Sequence, residues 1–215
     1  QLIFAGRNQT DFAGVAQAAL DALGPEDAPT DLALYLDYQV RHLLVDEFQD
    51  ISVNQLDLLE RLTAGWPADG DRSLFLVGDP MQSIYRFREA DVGNFIRTFH
   101  ERRLGQVGLI PLVLSANFRS EKGIVDWING CFARVFAAAD DPGTGAVTHH
   151  ASVAVHADTG PDNVSIHPFI DDDGSREAGS VIKLVAGIRH RQPGDSIAIL
   201  VRNRSHLSRI LPALR

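Results

Sequence analysis

Apolar residues recur along this chain at two spacings, one helical and one alternating or continuous over a few positions. After Asp11, the residues Phe12, Val15, Ala16, Ala19, Leu20 and Leu23 keep helical spacing, and Gly24 ends the run. The pattern predicts a helix there, a connector over Pro25 to Pro29, a shorter helix over 31–39 and a strand over 42–46. Ser52-Val53-Asn54-Gln55 forms a capping box, which opens a helix with Val53, Leu56, Leu59 and Leu62 on one face. A loop rich in Gly, Pro and Asp over 65–71 leads to a strand over 73–77. Residues 42–77 thus read as strand–helix–strand, the unit from which parallel sheets are built.

Farther along, the spacing predicts a helix over 90–100 and a strand over 109–114 that runs into a turn at Asn117-Phe118-Arg119-Ser120. A helix over 121–137 would bury Ile124, Trp127, Ile128, Cys131, Phe132 and Val135. Residues 139–162 contain Asp-Asp-Pro-Gly-Thr-Gly and little periodicity, which reads as a long loop with at most a weak strand at 152–156. Then come a strand over 164–170, a helix over 175–190, a strand over 196–201 and a closing helix from 205. The chain shows no internal repeat and no low-complexity tract. The fold class expected is α/β with a parallel sheet, in two pieces, 1–115 and 116–215.

Ligands of an open parallel sheet sit beyond the carboxyl ends of its strands, so the strand ends carry the candidate chemistry. The apolar run Leu43-Leu44-Val45 stops at two adjacent carboxylates, Asp46 and Glu47. Such a pair can hold a hydrated Mg²⁺ and polarise a water, as a nucleoside triphosphatase requires. Asp46 would bind the metal directly or through water, and Glu47 would orient and deprotonate the water. An acid-rich helix N-terminus is the plainer reading of the pair, while Asp50 reads as a turn or cap residue. Gln82 follows a Gly-Asp-Pro turn, where its amide can meet a γ-phosphate oxygen or the lytic water. Arg119 carries a guanidinium that matches phosphate geometry, or else a surface charge.

Tyr85-Arg86-Phe87-Arg88 alternates rings and guanidinium groups. Stacking rings beside arginines make a sequence-tolerant grip on single-stranded nucleic acid. Composition alone favours the alternative, a turn whose aromatics face the core.

Composition narrows the setting. The 215 residues are 45% hydrophobic and 22% charged, which is ordinary for a globular chain, and no apolar run approaches a membrane span. Cys131 is the single cysteine, so this chain alone builds no disulfide, zinc cluster or iron–sulfur cluster. On its apolar helical face Cys131 reads as a small core residue. A start at Gln1 without a charged-then-apolar leader reads as a segment of something longer, in a cytoplasmic setting. The net charge of −8 argues mildly against a nucleic-acid-coating protein. Residues 187–215 nevertheless carry Arg189, Arg191, Arg202, Arg204, Arg209 and Arg215 against Asp195 alone. Arg202 and Arg204 are therefore candidate DNA contacts beside Tyr85, Phe87 and Arg88, with solvated arginines as the alternative. His149, His150, His156 and His167 lack paired acids at ligand spacing and read as solvated side chains.

The ordered set of motifs resembles the UvrD/Rep/RecB-type superfamily 1 DNA helicases, nearest their RecB and AddA branch. Val45 to Asp50 resembles motif II, the Walker B element; Val77 to Arg88 resembles motif III; Asn117 to Ser120 resembles motif IV. Ile197 to Arg202 resembles a strand of the second RecA-like domain. The likeness runs from about residue 11 onward, and motifs II and III are highly specific. It implies a RecA-like, P-loop NTPase-type fold, with the end of one such domain in 1–115 and the start of a second in 116–215. It also implies ATP and Mg²⁺ as cofactors, with Asp46 binding Mg²⁺, Glu47 as base, Gln82 as γ-phosphate sensor and Arg119 as arginine finger from the second domain. Phe118 would stack on adenine, and Tyr85 and Phe87 would contact single-stranded DNA, with Arg88 coupling the two sites. Phe118 and Phe87 stand where many relatives have Tyr and Trp, which keeps stacking and loses a hydrogen bond. Glu89 stands in place of a common Gly. The partners implied are single- and double-stranded DNA, with room for a second helicase–nuclease subunit, in recombinational DNA repair.

The Gly-Lys-Ser/Thr phosphate loop is not among these residues, since the two lysines are Lys122 after Glu121 and Lys183 after Ile182. Motifs V and VI are not among them either. The leading expectation is a central segment of an ATP-dependent helicase, inactive by itself. The alternative is a non-catalytic DNA-binding or scaffolding subunit with a degenerate helicase fold. A small-molecule kinase or nuclease with a chance acidic strand end is a third reading, and it does not account for motifs III and IV together.

Overall fold

A computed structural model of the protein describes residues 10–25, 27–67, 70–157, 164–170 and 174–214. It divides into two compact units, Gln1–Asn163 and Val164–Arg215, each taken by itself below.

In the first unit, helix α1 (Phe12–Leu23) starts where the Asp11 carboxylate accepts the Gly14 N–H, and it ends at Gly24 with φ +75°. Helix α2 (Asp31–Gln39) is capped by Thr30. Strand β1 (His42–Val45) follows, then helix α3 (Val53–Thr63), then strand β2 (Ser73–Leu76). The capping box forms as expected: Ser52 Oγ accepts the Gln55 N–H, and Gln55 Oε1 accepts the Ser52 N–H. β1 and β2 pair in parallel, from His42 opposite Ser73 to Val45 opposite Leu76. The strand–helix–strand unit is therefore present.

The core beneath this pair gathers Phe48, Ile51 and Leu104, with Val45, Leu56, Leu59, Leu74, Leu76 and Phe95 packed against them. Alternation places Leu44 and Phe75, which face each other in register, on the other side, where both are exposed. Val53 is also exposed, so the buried face of α3 is narrower than its spacing suggests. Arg61 of α3 donates to the Leu20 and Gly24 carbonyls, which ties α3 to the carboxyl end of α1.

Helix α4 (Val92–Glu101) is capped by Asp91 and leads into a short antiparallel pair, β3 (Arg103–Leu104) and β4 (Val107–Gly108). Of the strand expected over 109–114, Leu109 donates its N–H to the Arg102 carbonyl beside the β3–β4 pair, while 110–114 join no sheet among the described residues, and Ile110, Leu112, Val113 and Leu114 stand exposed. Pro111 contributes no N–H to a ladder, which disfavours pairing there. The strand lies later instead: β5 (Ala116–Glu121) pairs in parallel with β6 (Val153–His156). Two observations explain the displacement. Asn117 Oδ1 accepts the N–H groups of Arg119 and Ser120, and the register shifts between Asn117 and Glu121, so the expected turn survives as a bulge inside the strand.

Helix α5 (Lys122–Phe132) stops short of the expected 137. It buries Val125, whereas Val135 lies beyond the helix and is exposed. Residues 137–150 form turns tied to α4: His100 Nε2 lies 3.0 Å from Asp140 Oδ2, and Thr148 donates its N–H and hydroxyl to Asp140 Oδ1. Burial alone would raise the Asp140 carboxyl, but the Thr148 donors and His100 outweigh it and hold the group below the ordinary aspartate range. Residues 158–162 of the expected loop lie outside the described residues.

In the second unit, helix α6 (Ser175–Arg191) and helix α7 (Leu207–Ala213) pack together, burying Ala178 and Ile210. Residues 164–170 and 196–201, expected as strands, pair with nothing among the described residues. Burial still alternates over 196–201, with Ile197, Ile199 and Val201 the less exposed positions, so the period holds without a ladder. The chain is thus mixed α/β, and its described strands form three two-stranded sheets, two of them parallel. No helix among the described residues is long and apolar enough to cross a membrane.

Candidate functional site

The ends of β1 and β2 converge because each strand continues into a turn that bonds the other. The Val77 N–H donates to the Val45 carbonyl, and the Phe48 N–H donates to the Val77 carbonyl. Past Val45 the backbone reverses: Glu47 takes the left-handed conformation (φ 52°, ψ 42°) and Phe48–Asp50 form a short 3-10 turn. A left-handed non-glycine residue costs ~1–2 kcal/mol. Burial of Phe48 and the Asp46 Oδ1 contact with the Glu47 N–H at 2.9 Å offset that cost. Asp46 and Glu47 both remain exposed at this edge.

The polar side chain at the centre is one that sequence reasoning passed over. Gln49 is 1% exposed and lies between the two turns. Its Nε2 donates to Glu47 Oε2 at 2.6 Å and to Asp50 Oδ2 at 3.3 Å, while its Oε1 accepts the Asp79 N–H at 3.0 Å. A side-chain amide alone inside Asp-Glu-Phe-Gln-Asp gave no periodic signal. Its only hint was a polar residue next to the core-forming Phe48.

On the β2 side, Asp79 caps a 3-10 turn over Pro80–Gln82, with Oδ1 accepting the Met81 N–H. Asp79 Oδ2 accepts from Gln82 Nε2 at 2.6 Å, so the sequence-predicted Gln82 sits at this strand end, held by its neighbour. Asp46, Glu47 and Gln82 therefore share one edge, where all three are exposed.

A second 3-10 turn, Arg86–Arg88, follows directly. Tyr85 and Phe87 face each other with ring centroids 6.0 Å apart and planes tilted by 51°. The Arg88 guanidinium lies 5.4 Å from the Tyr85 ring and 5.5 Å from the Phe87 ring. Phe87 is 77% exposed and Tyr85 38%, so the core-facing alternative for these rings is wrong. The turn ends at Glu89 with φ +67°, a conformation that explains why glycine suits the position.

Phe118 and Arg119 lie elsewhere, in the bulge of β5. Phe118 is 69% exposed, its carbonyl 2.7 Å from His156 Nε2, and Arg119 is exposed. Among the described residues no hydrogen bond or ion pair joins Arg119 to Asp46, Glu47 or Gln82. Arg202 and Arg204, in the second unit, are exposed as well. His149 lies against the Phe136 ring, and no group of three His, Cys, Asp or Glu residues among the described ones is placed to hold a metal.

Comparison with known proteins adds an independent line. Residues 4–102 match the UvrD/REP helicase N-terminal domain. Among curated proteins the chain is 34% identical over 154 residues to an ATP-dependent helicase/nuclease subunit of Desulfitobacterium hafniense, covering 69% of this chain and 11% of that protein. The same-named protein of Moorella thermoacetica is 36% identical over 165 residues, 73% of this chain and 11% of its own length. That of Staphylococcus carnosus is 31% identical over 179 residues, 81% and 14% respectively. The chain thus spans about a tenth of the length of the relatives it matches.

Proposed function

The chain belongs to the UvrD/RecB-type superfamily 1 helicases, and on that premise we propose that it supplies the water-activating side of an ATP site and part of a single-stranded DNA path in an ATP-dependent DNA helicase. The observation that carries this reading is the convergence of Asp46, Glu47 and Gln82 at the adjoining ends of two parallel strands. The fold is taken as RecA-like, one domain ending near 115 and a second beginning near 116. The parallel β1–α3–β2 unit and the helicase match over 4–102 support the first of these.

Asp46 is the Mg²⁺ ligand in this account. Its carboxylate is exposed at the strand end, one oxygen accepts the Glu47 N–H, and hard carboxylate oxygens suit that ion. When bound, Mg²⁺ neutralises charge developing on the phosphates of ATP. Glu47 accepts the proton of the attacking water, and Gln82 reads the γ-phosphate from the neighbouring turn. Arg119 stabilises the transferred phosphoryl group, and Phe118 stacks on the adenine. Tyr85 and Phe87 offer ring faces to bases, with Arg88, Arg202 and Arg204 meeting phosphates. The relatives' shared name, an ATP-dependent helicase/nuclease subunit, supports DNA as the substrate and an assembly with a second chain. The setting we propose is recombinational repair in the cytoplasm.

The test is phosphate release from Mg-ATP by the intact protein, with and without single-stranded DNA. Turnover stimulated by DNA is expected. DNA binding without any turnover would contradict the reading and favour a non-catalytic DNA-binding subunit.

A further inference from the structure

The stretch 137–150 has no part in the roles assigned above, yet it is closed on itself and seated on α4. Ala137 donates its N–H to the Val147 carbonyl at 3.2 Å, and Asp141 and Ala146 exchange backbone hydrogen bonds at 2.9 and 3.1 Å. The Asp141 carboxylate accepts the Gly143 N–H and the Thr144 hydroxyl, which shapes the tip, and Val147 is buried. This tip lies along α4. The Pro142 carbonyl occupies the place of a side chain at Gly93, since a Cβ there would collide with its oxygen. At the other end of the helix, seven residues or about 10 Å on, His100 faces Asp140, which also accepts both Thr148 donors. The His150 N–H then donates to Met81 Sδ at 3.4 Å, in the turn that ends with Gln82. Phe132 and Val153, the ends of α5 and β6, are separated by the 20 residues 133–152. A plain connection is commonly about four to six residues long, and much longer ones are kept for function.

We propose that residues 137–150 are a clasp that seats β5, and Arg119 with it, on α4 and the turn after β2. The inference rests on the reading of Arg119 as the group that meets the transferred phosphoryl group. Arg119 is exposed in its bulge, so its place relative to the carboxylate edge is set by the backbone that carries it. That backbone pairs with β6, Ala116 opposite Val153 and Asn117 opposite Ala154. β6 starts three residues after His150, a reach of at most ~11 Å from the Met81 contact. Asn129 of α5 fixes the join, donating to the Ser152 carbonyl and accepting the Ser152 N–H. Asp140 and Gly93 close the clasp, the first as acceptor for donors from its own stretch and partner of His100, the second by leaving room for Pro142. Phosphoryl transfer is sensitive to such seating, because a 1 Å misplacement can cost about a hundredfold in rate.

The experiment compares Gly93→Ala and Asp140→Asn with the wild type in the intact protein, each with and without Arg119→Ala. It measures ATP hydrolysis in the presence of single-stranded DNA, together with thermal melting. Alanine suits a helix better than glycine, so Gly93→Ala acts by displacing the Pro142 carbonyl and not by weakening α4. Asparagine keeps an acceptor for Thr148 and removes the charge that faces His100. Both variants are expected to melt cooperatively and to lose about tenfold of kcat, with KM for ATP within about threefold of wild type. Neither is expected to lower further the turnover that Arg119→Ala leaves, because the clasp acts through that residue. Wild-type kcat in either folded variant, the same fold loss with and without Arg119, or loss of cooperative melting in both would overturn the proposal and leave 137–150 a structural loop. Wild-type turnover in Arg119→Ala alone, or none in the wild type, would instead remove the reading of Arg119, and the inference with it.

Discussion

The ends of β1 and β2 and the bulge of β5 both carry candidate phosphate chemistry, but they are built in opposite ways. At the first, the candidate side chains are held by neighbours: Asp46 takes the Glu47 N–H, Gln49 holds Glu47, and Asp79 holds Gln82. At the second, Asn117 fixes only backbone N–H groups, and the side chains of Phe118 and Arg119 reach into solvent. Groups aimed in advance at developing charge need no rearrangement when reaction occurs. On the proposed roles, the carboxylate side is prepared in that sense within a few dozen residues. An exposed guanidinium serves a phosphoryl group only when another element is brought to it. On the proposed roles, the contrast separates a site that waits from a site that must be assembled.

Removing the arginine tests the assembled side and carries the largest expected effect. Arg119→Ala in the intact protein should lower ATP turnover by about 10³–10⁵ while the affinity for ATP changes little. Wild-type turnover would mean that Arg119 is a solvated surface charge and that the comparison has only one functional half.

The ring pair offers a smaller and independent test. Tyr85→Ala and Phe87→Ala should each weaken single-stranded DNA binding by ~1–3 kcal/mol, read by fluorescence anisotropy at one fixed salt concentration. Unchanged affinity in both would leave the pair as a cradle for Arg88 alone.

The same contrast marks what the sequence made legible. Helix starts at Asp11 and Ser52 were readable because capping is local: acceptor, donor and spacing lie within four residues. The parallel pair of β1 and β2 was readable because both runs are apolar, short and closed by turn residues. The strand expected over 109–114 was misplaced, since pairing depends on a distant partner, β6, that hydropathy does not identify. Strands expected over 164–170 and 196–201 met the same obstacle. At the site, the sequence singled out residue types with evident chemistry and passed over Gln49. Its hydrogen bonds reach residues up to thirty positions away and its place depends on the missing side chain of Gly78, neither of which periodicity records.

The claim on which the rest depends is that Glu47 activates the water that attacks ATP. Glu47→Gln keeps shape and removes the proton acceptor, so single-turnover hydrolysis of Mg-ATP by the intact protein, beside its ATP affinity, measures that claim most directly. The account predicts retained ATP binding and hydrolysis reduced by about 10²–10⁴. Hydrolysis at the wild-type rate would contradict it.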